Sequence, residues 1–213
     1  MEKYPKIQTV FLRDPKTKYS TLLEGQFALP EFEYLANNNW IFTEKVDGTN
    51  IRAMFKKGEI SFGGRTERSE IPPRLENALK DIFLPLHKKL VNIFEDNEVC
   101  FYGEGYGAKI QKGDKYRSDQ SFVLFDIKIG KYWLRREDIE DIASKLGIEI
   151  VPIVGKGTLM DMVEMVKNGL ISKWGDFIAE GIVARPEIEL FTRNGKRIIT
   201  KIKYKDFKTH KGA

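Results

Sequence analysis

The sequence predicts an α+β fold of antiparallel β-sheets with segregated helices. Stretches rich in β-branched and aromatic residues, bounded by Gly, Asp or Asn, recur along the whole chain. The helical periodicities are few, and they do not alternate with the strands in the rhythm of a parallel, doubly wound sheet. No repeat, low-complexity stretch or Pro/Gly/Ser-rich linker divides the chain, so a single compact domain over residues 1–213 is expected.

Strand patterns cover residues 40–45, 50–55 and 59–62, and the last two are joined by a hairpin turn around Gly58. After Pro72 and Pro73, a helical spacing runs through Leu75, Leu79, Ile82 and Leu86, with Pro85 placed to break or kink it. Strand patterns follow at 99–102 and 121–129. The next helix, over 136–146, turns Ile139, Ile142, Ala143 and Leu146 inward and stops at Gly147. Residues 148–154 read as a strand. A third helix is predicted over 159–167, with Thr158 as N-cap, Asp161 reaching back to it and Gly169 beyond its end. Strands over 181–185 and 197–204 complete the set.

Composition narrows the class. With 41% apolar and 31% charged residues, the chain is globular rather than disordered. Its net charge of +5 is compatible with a polyanionic partner and equally with a solvated lysine-rich surface. Cys100 is the only cysteine, which excludes an internal disulfide and points to a reducing compartment. His87 and His210 lack the spacing of zinc ligands. The N-terminus has no apolar leader and no apolar run is long enough to span a bilayer, so a cytoplasmic protein with no membrane partner is expected.

The chemistry is concentrated in short motifs. In FTEKVDGTNIRAMF, residues 42–55, Lys45 interrupts an apolar strand and is followed by Asp47, Gly48, Thr49 and Asn50. Such a lysine is either a snorkelling edge-strand charge or a nucleophile. It is nucleophilic only when neutral, a state favoured by desolvation or by neighbouring positive charge. Gly48 would permit a tight turn and close approach of the backbone to a ligand. In ITKIKYKDF, residues 199–207, Lys201 and Lys203 are two apart and so share one face of a strand. If that face meets Lys45, they would supply cationic neighbours and charge for a triphosphate. Glu104 in FYGEGYG and Glu180 in AEGIVARP each stand beside a glycine at a strand end, as turn residues do. Asp126 in VLFDI lies within an apolar strand, where an unpaired charge would be costly. Arg65 follows Gly63 and Gly64, which suits either a fork contacting phosphate or carboxylate, or a simple hairpin or bulge.

The order of these motifs (Lys-x-Asp-Gly, Arg, Gly-Glu-Gly, Phe-Asp-Ile, Glu-Gly-Ile-Val, Lys-x-Lys) resembles the covalent nucleotidyltransferase superfamily of DNA ligases, RNA ligases and mRNA capping enzymes. The resemblance runs over about residues 40–207. Asn50, Arg65, FYGEGYG and FDI make it most similar to the RNA ligase 2-like family. It implies an ATP-grasp-like ligase adenylation domain in a minimal form, without an OB-fold or other C-terminal domain. It also implies an ATP-dependent RNA ligase that seals 5′-phosphate and 3′-hydroxyl ends.

By that resemblance, Lys45 would carry AMP, Glu104 would hold the ribose and Phe125 would stack on adenine. Glu44 would read the purine edge, and Asn50 and Arg65 would contact phosphate or ribose. Lys201 and Lys203 would bind the phosphates, and Glu180 would engage Mg2+ or Mn2+. The implied partner is RNA or a nicked duplex, with an accessory protein replacing the missing domain as a further expectation. The lysine-rich tail KYKDFKTHKGA would either track a phosphate backbone or end as a solvated terminus. Asp47 matches the DNA ligase and capping pattern rather than the histidine of some RNA ligases, so a DNA ligase catalytic core is the alternative. A non-catalytic module that binds polynucleotide ends is the reading from a different class.

Overall fold

The computed structural model describes residues 2–207. The end of the lysine-rich tail, including His210, lies outside the described residues. The chain divides into two compact units. One takes in the N-terminal segment up to Pro5 together with Asp47–Val151. The other takes in Lys6–Val46 and the chain from Pro152 onward.

The second of these units starts with short strands β1 (Gln8–Thr9), β2 (Phe11–Arg13) and β3 (Leu22–Phe27), then helix α1 (Pro30–Tyr34) and strand β4 (Trp40–Lys45). The chain then passes into the other unit, which holds β5 (Thr49–Lys56), β6 (Glu59–Gly63), α2 (Pro73–Phe83), α3 (His87–Phe94), β7 (Val99–Gly107), β8 (Gln120–Ile129), β9 (Tyr132–Trp133) and α4 (Arg136–Leu146). It returns for β10 (Ile153–Gly157), α5 (Leu159–Lys167), β11 (Gly181–Pro186) and β12 (Thr200–Lys203).

The Lys45-bearing unit is built on a five-stranded sheet of order β1-β12-β11-β4-β10, with β2 and β3 forming a separate ribbon. All its pairings are antiparallel except that of β1 with β12. Helix α5 covers it with Leu159, Met162, Val163 and Val166, which join Trp40, Phe42, Ile182, Ala184 and Ile202 in one core. The predicted capping box closes α5, with the Asp161 N–H donating to Thr158 Oγ1 and the Thr158 N–H donating to Asp161 Oδ2.

The other unit carries a sheet of order β6-β5-β7-β8-β9. Alternation on β5 sends Ile51, Ala53 and Phe55 into a core with Leu75, Leu79 and Phe83 of α2 and Ile139, Ala143 and Leu146 of α4. Pro85 does interrupt its helix: α2 stops at Phe83, a 3-10 turn spans Leu84–Leu86, and α3 resumes from His87. Gly147 ends α4 in the left-handed conformation, as its sequence position predicts.

Two predicted strands are corrected. Residues 148–154 yield β10 only from Ile153, because Ile150 bridges instead to Leu124 and the chain changes unit at Pro152. Over 197–204 only Thr200–Lys203 is strand, since Arg197 bridges instead to Phe191. Among the described residues, no helix is long and apolar enough to cross a membrane.

Phe83 is fully buried, with ring centroids 5.8 Å from Phe62, 5.7 Å from Phe101 and 5.4 Å from Phe122. Phe83→Ala is expected to lower unfolding stability by about 3–5 kcal/mol, the range for a large core aromatic, as read by urea denaturation. A loss below about 1 kcal/mol would mean that this core closes over the gap.

Candidate active site

The sheet order β12-β11-β4 decides what meets Lys45. Gly181, the first residue of β11, is in register with Lys45 on one side and Lys203 on the other. The residue before it, Glu180, therefore stands between two strands that each end in a lysine. Lys45 Nζ donates to Glu180 Oε2 at 2.6 Å, and Lys203 Nζ pairs with Glu180 Oε1 at 2.5 Å. Lys45 also reaches the Val46 carbonyl at 3.4 Å. The packing needs a glycine at 181, because a Cβ there would lie 2.0 Å from the Ile202 carbonyl oxygen.

The group in contact with Lys45 is thus a carboxylate, with Lys203 on its far side, rather than a lysine acting directly on Lys45. Burial works to raise the Glu180 carboxyl, but Lys45 and Lys203 outweigh it and hold it below the usual carboxylate range. Lys201 shares its strand face with Lys203 and is paired in register with Val183.

Glu44 is 1% exposed. Its carboxylate accepts from Ser172 Oγ at 2.6 Å and from the Lys173 N–H at 2.8 Å. The Ser172 oxygen in turn accepts from the Trp174 N–H, so a buried charge next to Lys45 fixes the start of the loop that leads into Glu180. Nothing in the spacing of Ser172 or Lys173 announced this partnership.

Asn50, Arg65, Glu104 and Phe125, the other residues the sequence singles out, lie in the other unit. On β5 and β7, Asn50 is directly opposite Glu104 and Arg52 is opposite Tyr102. These residues occupy the sheet face opposite the apolar core. Asn50 Oδ1 is buried without a hydrogen-bond partner, whereas such groups are normally satisfied. Gly48 makes room here in a way the sequence did not specify: a Cβ would meet the Gly105 oxygen at 2.3 Å and Glu104 Cγ at 2.8 Å.

Arg65 is exposed on the loop after β6. That loop is fixed by Arg52, a buried residue that sequence reasoning passed over, whose Nε donates to the Gly64 carbonyl at 2.8 Å. Its place two residues after Asn50 was the available signal, since it puts Arg52 on the same strand face. Phe125 is the extra residue where the β7–β8 register shifts, between Leu124 opposite Gly103 and Asp126 opposite Tyr102. Its ring lies edge-on to Tyr4 at 4.9 Å. The Tyr4 hydroxyl donates to Asp126 Oδ2 at 2.7 Å, which gives one oxygen of this buried carboxyl a partner within the apolar strand.

The family model for RNA ligase matches residues 38–204. The chain belongs to the RNA ligase family. Solved structures of Naegleria gruberi RNA ligase share its α+β fold. An apo point mutant superposes with a TM-score of 0.67 at 18% identity, covering 99% of this chain and 60% of that one. A mutant with ATP and Mn gives a TM-score of 0.69 at 19% identity, covering 95% of this chain and 56% of that one. A mutant with AMP and Mn gives 0.65 at 18%, with 95% and 58% covered. The chain therefore spans less than two thirds of the length of these RNA ligases.

A carboxyl held low by two lysines links stability to pH. The contribution of Glu180 is fully present above the ordinary glutamate range near pH ~4.3 and is lost as pH falls through its depressed folded value. Urea unfolding followed from pH 7 to pH 3 should therefore show wild type losing stability faster than Glu180→Gln in the acid part of that range. Parallel profiles would show that the two lysines do not depress the carboxyl.

Proposed function

We propose that this RNA ligase-family chain joins polynucleotide ends with ATP, using Lys45 as the nucleophile. The observation that carries the reading is the ion pair of Lys45 with a carboxylate that also holds Lys203. An edge-strand lysine of structural type needs no such partner and would extend into water. Attack requires a neutral amine released from its bond to Glu180.

The neutral amine then forms an N–P bond to the α-phosphorus of ATP. The bond from that phosphorus to the bridging oxygen breaks, and pyrophosphate leaves. AMP passes next to the 5′-phosphate of an RNA end, which restores the lysine. A 3′-hydroxyl attacks the activated phosphate, AMP departs, and a phosphodiester is formed. Holding both ends in one geometry supplies much of the rate. Lys201 and Lys203 would meet the phosphates, and fixed cations placed where charge develops are an effective form of transition-state stabilisation.

Asn50, Glu104 and Phe125 would hold ribose and base, and Arg65 would reach phosphate from its exposed loop. Among the described residues no three His, Cys, Asp or Glu side chains form a metal cluster. A hard divalent ion such as Mg2+ or Mn2+ needs only one or two protein carboxylates when phosphates complete its shell, and Glu180 fits that requirement. Bound there, the ion would neutralise charge on the carboxylate and the phosphates. Glu44 would act beside the purine through the loop whose start it fixes.

The test is intact mass after incubation with ATP and Mg2+, on protein first stripped of nucleotide. Wild type should gain one AMP and Lys45→Ala none, and wild type should then seal a 5′-phosphorylated nick in duplex RNA. An adduct that persists in Lys45→Ala would refute the assignment. Sealing of DNA nicks in preference to RNA would overturn the substrate class.

A further inference from the structure

Strands β7 and β8 are antiparallel neighbours paired up to Gly107 and Gln120. Such a pair needs only a tight two-residue hairpin. The chain instead inserts residues 108–119, and it builds them in. Ile110 is 5% exposed and packs in the main core of this unit, and Tyr116 is 7% exposed. Gly113 is buried so tightly that a Cβ would lie 2.1 Å from the Gly107 oxygen.

Backbone bonds close the loop on itself, from the Ala108 N–H to Asp119, from Gly113 to Ile110 and from Tyr116 to Gly113. Lys109 and Gln111 take positive φ values of 65° and 51°, conformations that non-glycine residues hold only when their surroundings impose them. The loop is also tied to the stretch that follows the nucleophile in sequence, since the Asp47 N–H donates to Tyr116 Oη at 3.2 Å.

What this scaffold displays is positive charge. Lys109, Lys112 and Lys115 recur at every third residue and are all exposed. Lys112 caps the 3-10 turn Gly113–Lys115, and Lys115 Nζ stands 5.3 Å from the Tyr116 ring centroid. Residues 108–119 hold four basic residues, Lys109, Lys112, Lys115 and Arg117, against two acids, Asp114 and Asp119. Asp119 is paired with Arg117, and Asp114 accepts from the Lys109 N–H. A solvated lysine surface would not require buried anchors or enforced left-handed residues beneath it.

We propose that residues 108–119 form a preorganised surface for the phosphodiester backbone of the RNA substrate, with Lys109, Lys112 and Lys115 as its phosphate contacts. The proposal rests on the RNA-joining reading. It assigns these lysines to the polynucleotide and not to ATP, so their removal should separate RNA binding from adenylylation. Each phosphate neutralised contributes roughly 0.7–0.9 to the slope of log affinity against log salt.

The test uses the full chain and a 5′-phosphorylated nicked RNA duplex as probe. Dissociation constants are measured from 50 to 300 mM salt for wild type, for the triple variant Lys109→Ala, Lys112→Ala, Lys115→Ala, and for a control, Lys88→Ala, Lys89→Ala, Lys131→Ala. The control removes the same charge from exposed positions elsewhere in the unit. The loop variant should bind at least tenfold more weakly at 50 mM salt with a slope shallower by about 2–3. Its adduct with ATP should form at the wild-type rate, and the control should bind like wild type.

Wild-type affinity and slope in the loop variant would overturn the proposal, as would an equal loss in the control, which would mark diffuse charge. A wild type that never forms an AMP adduct, yet loses RNA affinity only in the loop variant, would refute the ligase reading and leave this surface standing. Loss of adenylylation in the loop variant would also count against the proposal, since it would place these lysines on the nucleotide.

Discussion

The carboxylate of Glu180 is the constraint around which the Lys45-bearing unit is arranged. Two lysines on different strands can share one sheet end only if an anion stands between them, and Glu180 is in ion-pair contact with both Lys45 and Lys203. That requirement fixes β11 between β4 and β12. It also fixes the residue that follows, because the backbones approach so closely at 181 that no side chain fits. Beyond that point β11 reverts to an ordinary central strand, with Ile182 and Ala184 in the core. Chemistry occupies the end of the strand, and the remainder supplies the burial that holds the end in place.

The other unit solves a different problem. Its sheet has an apolar face closed by helices and a second face bearing Asn50, Arg52, Glu104 and Tyr102. Arg52 and Asp126 are buried on this sheet, and each has a specific partner: the Gly64 carbonyl for Arg52, and the Tyr4 hydroxyl for Asp126. Buried charge is tolerated where hydrogen bonds replace water. The consequence is positional: Arg52 fixes the loop that carries Arg65, and Tyr4 braces both Phe125 and Asp126. Exposed or bulged residues are thereby attached to a rigid sheet.

The legible part of this protein was whatever depends on local pattern. Strand β4, helices α4 and α5, the Thr158–Asp161 capping box, the break at Pro85 and the stop at Gly147 all follow from periodicity and end chemistry within a few residues. Strands β1, β2, β3 and β9 and helices α1 and α3 went unpredicted; all but α3 are two- to six-residue elements, which carry too little period to stand out. Partnerships across the chain were hidden for another reason. Ser172 and Glu44 share no spacing rule, nor do Tyr4 and Asp126, and only the fold brings them into contact. The motif order gave the participants around Lys45, but it did not give the sign of the charge that touches it.

That sign has a mechanistic consequence under the ligase reading. With Lys45 and Lys203 alone, the site would carry two unopposed cations and attract any polyanion, including pyrophosphate after its release. Glu180 reduces that charge to one and keeps the lysine side chains in a defined place before nucleotide arrives. The same carboxylate restrains the amine that must attack, because the bond from Lys45 Nζ to Glu180 has to be broken first. Substrate would therefore have to displace an existing bond rather than enter an open site. Activation of Lys45 would then be coupled to the arrival of phosphates and metal, the moment at which the nucleophile is needed.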